Sequence, residues 1–331
     1  IKSNKRNTLN MRTEQIQEGK IKLLIPTGGR IYDRSVFYNP EMELSRDISV
    51  CAIQVFQSQS KLKLSILDAL SATGVRGLRY AKEIKNIKQV TLNDKNPIAV
   101  KLIKKNIKLN KLEKKCTPTK SDANLLMRKN VYNVIDIDPF GSPNIFLDSA
   151  ARSIWHRGFL CITATDTAPL SGTYPLACLR KYGIKSFKCP YYSELGIRIL
   201  ITFTILTLSR YDRAFIPLLS HATKHYFRIY GKILHAGKIN SLLNKFEQIN
   251  EHCSIYLGPI QSKEFCKQVL TELEKRKYKL LTQEKKLLTQ IIEESEMPPF
   301  YFDIHEIAKR HKLKKIPKIK TKNMSKKEKA Q

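Results

Sequence analysis

The sequence predicts an α/β fold: a mostly parallel sheet with helices on both faces, followed by a smaller C-terminal domain. Two observations carry this. Short β-rich runs alternate with helical stretches from about residue 64 to 167, and three of those runs end on an acidic motif, at Asp68, Asp94 and Asp138.

The elements follow in order. Residues 64–70 form an apolar run ending in a turn, and a helix continues through 79–84. Residues 89–92 read as a second strand closing on Asn93-Asp94, and 98–109 place apolar residues at helical spacing with lysines on the other face. A third strand, 131–137, ends at Asp138-Pro139. Residues 146–155 read as helix, 159–164 as strand, and 216–219 with 226–234 as antiparallel strands completing the sheet. The run at 197–208, flanked by Arg198 and Arg210, reads as a core helix. The segment 254–260 marks a boundary, 265–294 is a long charged helical stretch, and 303–312 suits a small helix. This divides the chain into 1–258, the sheet domain with its N-terminal extension; 259–313, a helix-rich domain; and 314–331, a Lys-rich tail expected to be disordered. In open sheets of this type ligands bind beyond the carboxyl ends of the strands, so one pocket can gather the three acidic motifs.

Composition narrows the partners. Lys plus Arg number 60 against 29 Asp plus Glu, a net charge of +31, which creates a field that attracts polyanions, nucleic acid first among them. A Lys-rich proteome alone would not keep the acids so low. No uncharged apolar run is long enough to span a bilayer and the N-terminus has no secretory apolar stretch, so a cytoplasmic protein with no membrane partner is expected. The seven cysteines form no CxxC pair. Neither a disulfide framework nor a metal site is predicted, and no obligate protein partner is evident.

The chemistry concentrates at strand ends. The turn that opens at Asp68 and runs to Gly77 has small residues and glycines that let the backbone close on a ligand; a plain strand-to-helix turn would look the same. Asp94 suits the two hydroxyls of a ribose, or a helix cap before Pro97. Asp122, beside Ala123, could accept from an adenine amine. Asp138-Pro139-Phe140-Gly141 carries the most weight, because an Asp followed by Pro and an aromatic makes a rigid projecting corner. There a carboxylate, helped by the Pro139 carbonyl, can orient the N–H bonds of a base's exocyclic amine towards a methyl donor and take or relay the proton. Phe140 can hold the base's plane by stacking. The competing reading makes Asp138 a turn former and Phe140 a core residue. Arg180-Lys181 and His225 with Arg228 mix cations with aromatics, as RNA-binding surfaces do, although ordinary surface charge can look alike.

Phe37-Tyr38-Asn39-Pro40, Arg46-Asp47, the 68–77 turn, Asn93-Asp94, the 138–143 segment, 163–170 and Arg180-Lys181-Tyr182 occur in that order. Together they resemble the tRNA guanine-26 N2-dimethyltransferases of archaea and eukaryotes, over about residues 17–312. The resemblance implies a class I methyltransferase fold with a mostly parallel seven-stranded sheet, S-adenosyl-L-methionine as cofactor and tRNA as partner. The expected product is N2-methylguanosine and then N2,N2-dimethylguanosine. By the family pattern Arg46, Arg76, Asp94, Asp122 and Ala123 contact the cofactor, and Asp68 is counted with them. Asp138 with Pro139 is catalytic, Phe37 and Phe140 sandwich the guanine, and Arg180, Lys181, His225 and Arg228 are candidates for tRNA. Two departures are expected: no zinc, since only Cys253 stands where some relatives carry a cysteine cluster, and a shortened C-terminal domain. The alternatives are an enzyme methylating another RNA guanine or a DNA adenine, or a non-catalytic RNA-binding protein.

Overall fold

Short apolar runs recur through the middle of the chain, and they build the sheet. The structure, a computed structural model, describes residues 12–28 and 34–300; the helix expected at 303–312 and the tail 314–331 lie outside the described residues. Strands β3 (Leu64–Asp68), β4 (Ile87–Asn93), β5 (Cys116–Thr119), β6 (Tyr132–Ile137) and β7 (Ile154–Ala164) are parallel. They are joined by helices α2 (Val75–Glu83), α3 (Pro97–Leu109), α4 (Ala123–Lys129) and α5 (Asn144–Ser153). β8 (Arg213–Thr223) and β9 (Tyr226–His235) complete the sheet, both β7–β9 and β8–β9 pairing antiparallel, and the strand order is β5-β4-β3-β6-β7-β9-β8.

Each strand sends alternate residues to opposite faces. Ile66, Val134, Cys161 and Tyr230 fall in one apolar cluster, while Leu67, Ile135, Ile162 and Ile229 fall in the other. The second cluster also holds α8 (Tyr192–Ser209), whose length and apolarity would suffice to cross a bilayer, yet which packs here as a core helix. Its Arg198 is fixed by Glu194 and by the carbonyls of Tyr256 and Gly258.

β3 and β6 are neighbours, with β4 and β5 on one side and β7 on the other. The chain therefore reverses its direction of travel across the sheet between them, which opens a crevice at their carboxyl ends. Asp68 closes β3, in register with Asp136 of β6, and Asp138 follows β6 by one residue. The fold thus brings two of the three acidic motifs to the same crevice.

Several elements were not evident from the sequence. A hairpin, β1 (Thr13–Glu18) with β2 (Ile21–Pro26), precedes the sheet; the side chain of Asn106 bonds both the N–H and C=O of Leu24, and Asn110 does the same at Lys22. Helix α1 (Glu43–Ser60) covers the first face and carries Arg46 near its start. α5 ends at Ser153, and Trp155 belongs to β7 instead.

Short helices α6 (Thr167–Leu170) and α7 (Pro175–Tyr182) stand between β7 and α8. α9 (Ile239–Leu243) leads to a hairpin of β10 (Phe246–Asn250) and β11 (Cys253–Tyr256), which occupies part of the expected boundary. The long helical stretch is two helices, α10 (Lys263–Glu274) and α11 (Leu281–Glu294). They turn where Tyr278 donates to Glu83 at 2.6 Å and Arg276 to the Glu83 carbonyl at 3.3 Å. Their Phe265, Val269, Leu273 and Leu288 join the first cluster rather than forming a core of their own.

Candidate active site

A cavity of about 710 Å³ opens at the crevice, lined by Phe37, Arg46, Asp68, Arg76, Asp138, Pro139, Phe140 and His225 among others. It is built on ion pairs. Arg76, buried on α2, donates to Asp138 Oδ2 through Nη2 at 2.5 Å and Nε at 3.1 Å, and through Nη1 to Ser49 at 3.0 Å. Deeper still, Arg228 grips Asp136 with two bonds of 2.8 Å, and Tyr80 donates to the same carboxylate. Arg228 Nη1 also donates to Thr163 at 2.6 Å.

The balance of these charges sets the protonation states. Burial would raise the Asp138 carboxyl, but Arg76, with Arg228 and a Thr163 hydrogen bond, outweighs it and holds Asp138 below the usual carboxylate range. Asp68 goes the other way. Burial, together with repulsion from Asp136, pushes it up to about 7, although Arg76 and the Gly77 N–H oppose this. Arg76 bonds Asp138 and Arg228 bonds Asp136, while Asp68 has no guanidinium bonded to it.

The corner at 138–141 is held from β7's end. The Gly141 N–H donates to Thr165 Oγ1 at 2.6 Å, and the Thr165 N–H donates to the Gly141 carbonyl at 3.0 Å. Gly141 takes a φ of +103°, a conformation that side chains resist. Phe140 is consequently displayed, 77% exposed, so the core reading of this residue fails. Phe37 faces it with ring centroids 6.0 Å apart and planes at 63°. A base between two parallel rings needs about 7 Å, twice a van der Waals contact. The two rings are therefore adjacent but closed on each other edge to face.

The other expected positions divide. Arg46 lines the cavity, but Nε and Nη2 each lie 2.6 Å from Glu18, and Nη1 bonds the Asn39 carbonyl at 3.2 Å. Of its five N–H donors two remain, as on Arg76. Asp94 stands at the end of β4, outside the cavity lining. Its Oδ2 accepts from the Ala72 N–H of the cavity-lining turn at 2.9 Å, and Oδ1 from Asn96 at 2.8 Å, so the cap before Pro97 is Asn96 itself. Asp122 caps α4 through Oδ1, and the adjoining Ala123 is buried.

Arg180 is exposed, Lys181 is half-exposed on Asp166, and His225 is exposed at the cavity. Arg228 is corrected: it is 0% exposed and committed to Asp136, so it cannot meet RNA at the surface. Sequence reasoning missed Glu18, Ser49, Tyr80 and Asp136. Asp136 and Arg228 did leave a signal, since each is a charge with large apolar residues on both sides of it in a strand, the pattern of a buried pair.

A family model described as N2,N2-dimethylguanosine tRNA methyltransferase matches residues 13–254 and 243–328. A tRNA (guanine(26)-N(2))-dimethyltransferase of Methanothermobacter thermautotrophicus is 36% identical over 326 residues, covering 88% of this chain and 85% of the relative. One of Pyrococcus horikoshii is 36% identical, covering 94% and 90%. The solved structure of Trm1 from Pyrococcus horikoshii in complex with S-adenosyl-L-methionine superposes with a TM-score of 0.82 at 35% identity, covering 90% of this chain and 88% of that one.

Proposed function

Because the chain belongs to the N2,N2-dimethylguanosine tRNA methyltransferase family, we propose that its cavity binds S-adenosylmethionine and that the protein methylates the exocyclic N2 of guanosine 26 in tRNA. The observation that carries this reading is the pairing, in one crevice, of a carboxylate clamped by Arg76 with two adjacent aromatic rings.

The residues fit that cofactor. It carries a sulfonium and an ammonium, which suit the uncompensated Asp68, and a carboxylate, which suits the spare N–H donors of Arg46 and Arg76. Asp94, Asp122 and Ala123, on the neighbouring strand ends, would hold its nucleoside. When bound, the cofactor supplies an electrophilic methyl group.

The chain's own residues do the rest. Arg76 holds Asp138 ionised and fixed while engaging only Oδ2, and a carboxylate has about four acceptor sites, so Asp138 keeps capacity for an incoming amine. An amine of guanine has its lone pair drawn into the ring. Asp138 and the Pro139 carbonyl, accepting its N–H bonds, turn that lone pair towards the methyl group. The nitrogen becomes strongly acidic once alkylated, so a carboxylate of low basicity suffices to take or relay the proton. Phe37 and Phe140 part, become parallel and clasp the base. Arg180, Lys181 and His225 stand at the rim for phosphates.

The test is nucleoside mass spectrometry with position mapping, after tRNA is incubated with the protein and S-adenosylmethionine. N2-methylguanosine and N2,N2-dimethylguanosine at position 26 are expected. Methylation of a ring nitrogen, of adenine, or of nothing would refute the reading.

A further inference from the structure

Between β7 and the core helix α8 the chain spends residues 165–191 on an excursion that carries α6 and α7 and starts beside the cavity, which Thr165 and Asp166 line. Its base is firmly set. Thr165 is bonded to Gly141, Lys181 and Tyr182 reach Asp166 at 2.9 and 2.8 Å, and Ser186 donates to the Pro169 carbonyl at 2.5 Å. Gly172 lies so close to Phe187 that a Cβ would come within 2.2 Å of its backbone.

The inner face of α7 is accounted for, since Cys178 and Tyr182 are buried. Its exposed residues include large apolar ones beside Arg180. Tyr174, at the helix cap, is 61% exposed, Leu176 is 63% exposed, and Leu179 is exposed too. A surface helix ordinarily turns polar residues to water, and a cluster of large apolar side chains on a rigid support marks a binding surface. The C-terminal end of α7 is tied to the start of α5, where Asn144 bonds the Lys181 carbonyl at 3.0 Å and Ile145 is exposed. Exposed Arg180 stands on the same helix, and Lys224 and His225 line the cavity.

We propose that the exposed Leu176 and Leu179 on one side of α7, with Tyr174 at its cap, are the wedge of the tRNA interface. The wedge packs against the bases flanking the target and fills the space guanine leaves as it is drawn between Phe37 and Phe140. This rests on the tRNA guanine reading above and names the residues that keep the RNA open. Chemistry selects RNA as the occupant: apolar side chains entering a base step unstack it, and the surrounding cations neutralise the phosphates brought close.

The experiment uses the full chain and the double variant Tyr174→Ala/Leu176→Ser. Three tRNA transcripts are compared: unaltered, with 2-aminopurine at position 26, and with an abasic residue opposite guanosine 26, so that the guanine is already loosened. The variant is expected to bind S-adenosylmethionine with unchanged Kd. It should lose the rise in 2-aminopurine fluorescence that the wild type produces, and its kcat/KM on unaltered tRNA should fall at least about tenfold. On the abasic transcript the deficit should shrink to about threefold or less.

Undiminished turnover on unaltered tRNA overturns the wedge, and so does an equal loss on both methylatable transcripts. A wild-type dimer that the variant converts to a fully active monomer overturns it as well, assigning the face to a second copy. Failure of the wild type to methylate any guanosine is a separate result; it removes the parent reading and the wedge with it.

Discussion

Asp138 and Asp68 are carboxylates on adjacent strands with opposite protonation behaviour, and the difference lies in who faces them. Arg76 keeps Asp138 ionised. Replacing it, as Asp138→Ala, should leave a folded protein that binds cofactor within a few-fold of the wild-type Kd yet loses methyl transfer by roughly 10²–10⁴, read in single-turnover assays with tRNA. Asp68, lacking a cation of its own, sits at about 7. The raised value means the folded state holds a proton that the unfolded state, near 3.8, has released. The Asp68 contribution to stability is therefore greatest below pH 4, falls as pH rises from 4 to 7, and is flat above; it is on the order of 4 kcal/mol. Asp68→Asn should remove this slope, giving a higher Tm than wild type at pH 8 and no gain at pH 4. Cofactor binding should show the reverse cost. A cation draws Asp68 to its ionised form, so wild-type affinity rises with pH through 7 and releases about half a proton at pH 7, and the Asn variant loses that component. Calorimetry in buffers of different ionisation enthalpy reads the difference between the two proteins.

At the scale of elements, the α10–α11 hairpin behaves as a wall of the catalytic core. Leu288 is fully buried in the cluster beneath the sheet, and Leu288→Ala should cost about 2–5 kcal/mol and lower the Tm of the catalytic activity along with that of the helices. Separate transitions for the two would show an independent module. The hairpin also closes a polar network. Burial, with a hydrogen bond and repulsion from Asp47, holds the Glu284 carboxyl of α11 protonated; Asp47 meets Arg79, Arg79 meets Glu18, and Glu18 meets Arg46 at the cavity. The folded state thus keeps a proton on Glu284 that the unfolded chain loses above about pH 4.5, and stability falls as pH rises beyond that. Glu284→Gln should raise Tm by several degrees at pH 8 and by less at pH 5. The strands were legible because short apolar runs ending in turn residues are local signals, as at residues 132–137 before Asp138-Pro139. The network was not, since Glu18, Asp47, Arg79 and Glu284 lie in four separate elements and no local pattern announces that they meet.

The whole molecule carries a charge of +31, and its consequence is a steep salt dependence. If tRNA binding neutralises 6–10 phosphates, affinity should drop by roughly 10³–10⁵ between 50 and 200 mM salt. Removing the Lys-rich residues 314–331 should weaken binding and flatten that slope, while leaving cofactor affinity unaltered; an unchanged slope in a filter-binding titration would show that the phosphates are met elsewhere. Wedge and charge act at different steps. Charge governs how often tRNA arrives, and the exposed face of α7 governs whether guanine leaves its stack.

What the sequence alone determined was the parallel sheet, its strand ends and the corner at Asp138, because hydrophobic period and turn chemistry are written over a few neighbouring residues. Tertiary structure decided the rest: that Arg228 faces inward to Asp136, that Arg76 clamps Asp138, and that Asp68 lacks a counter-charge. Those outcomes depend on which side chains are brought together from residues 18 to 284 in space. Burial then strengthens each pairing and penalises each group left without one, so the protonation of the site is a property of the assembled fold.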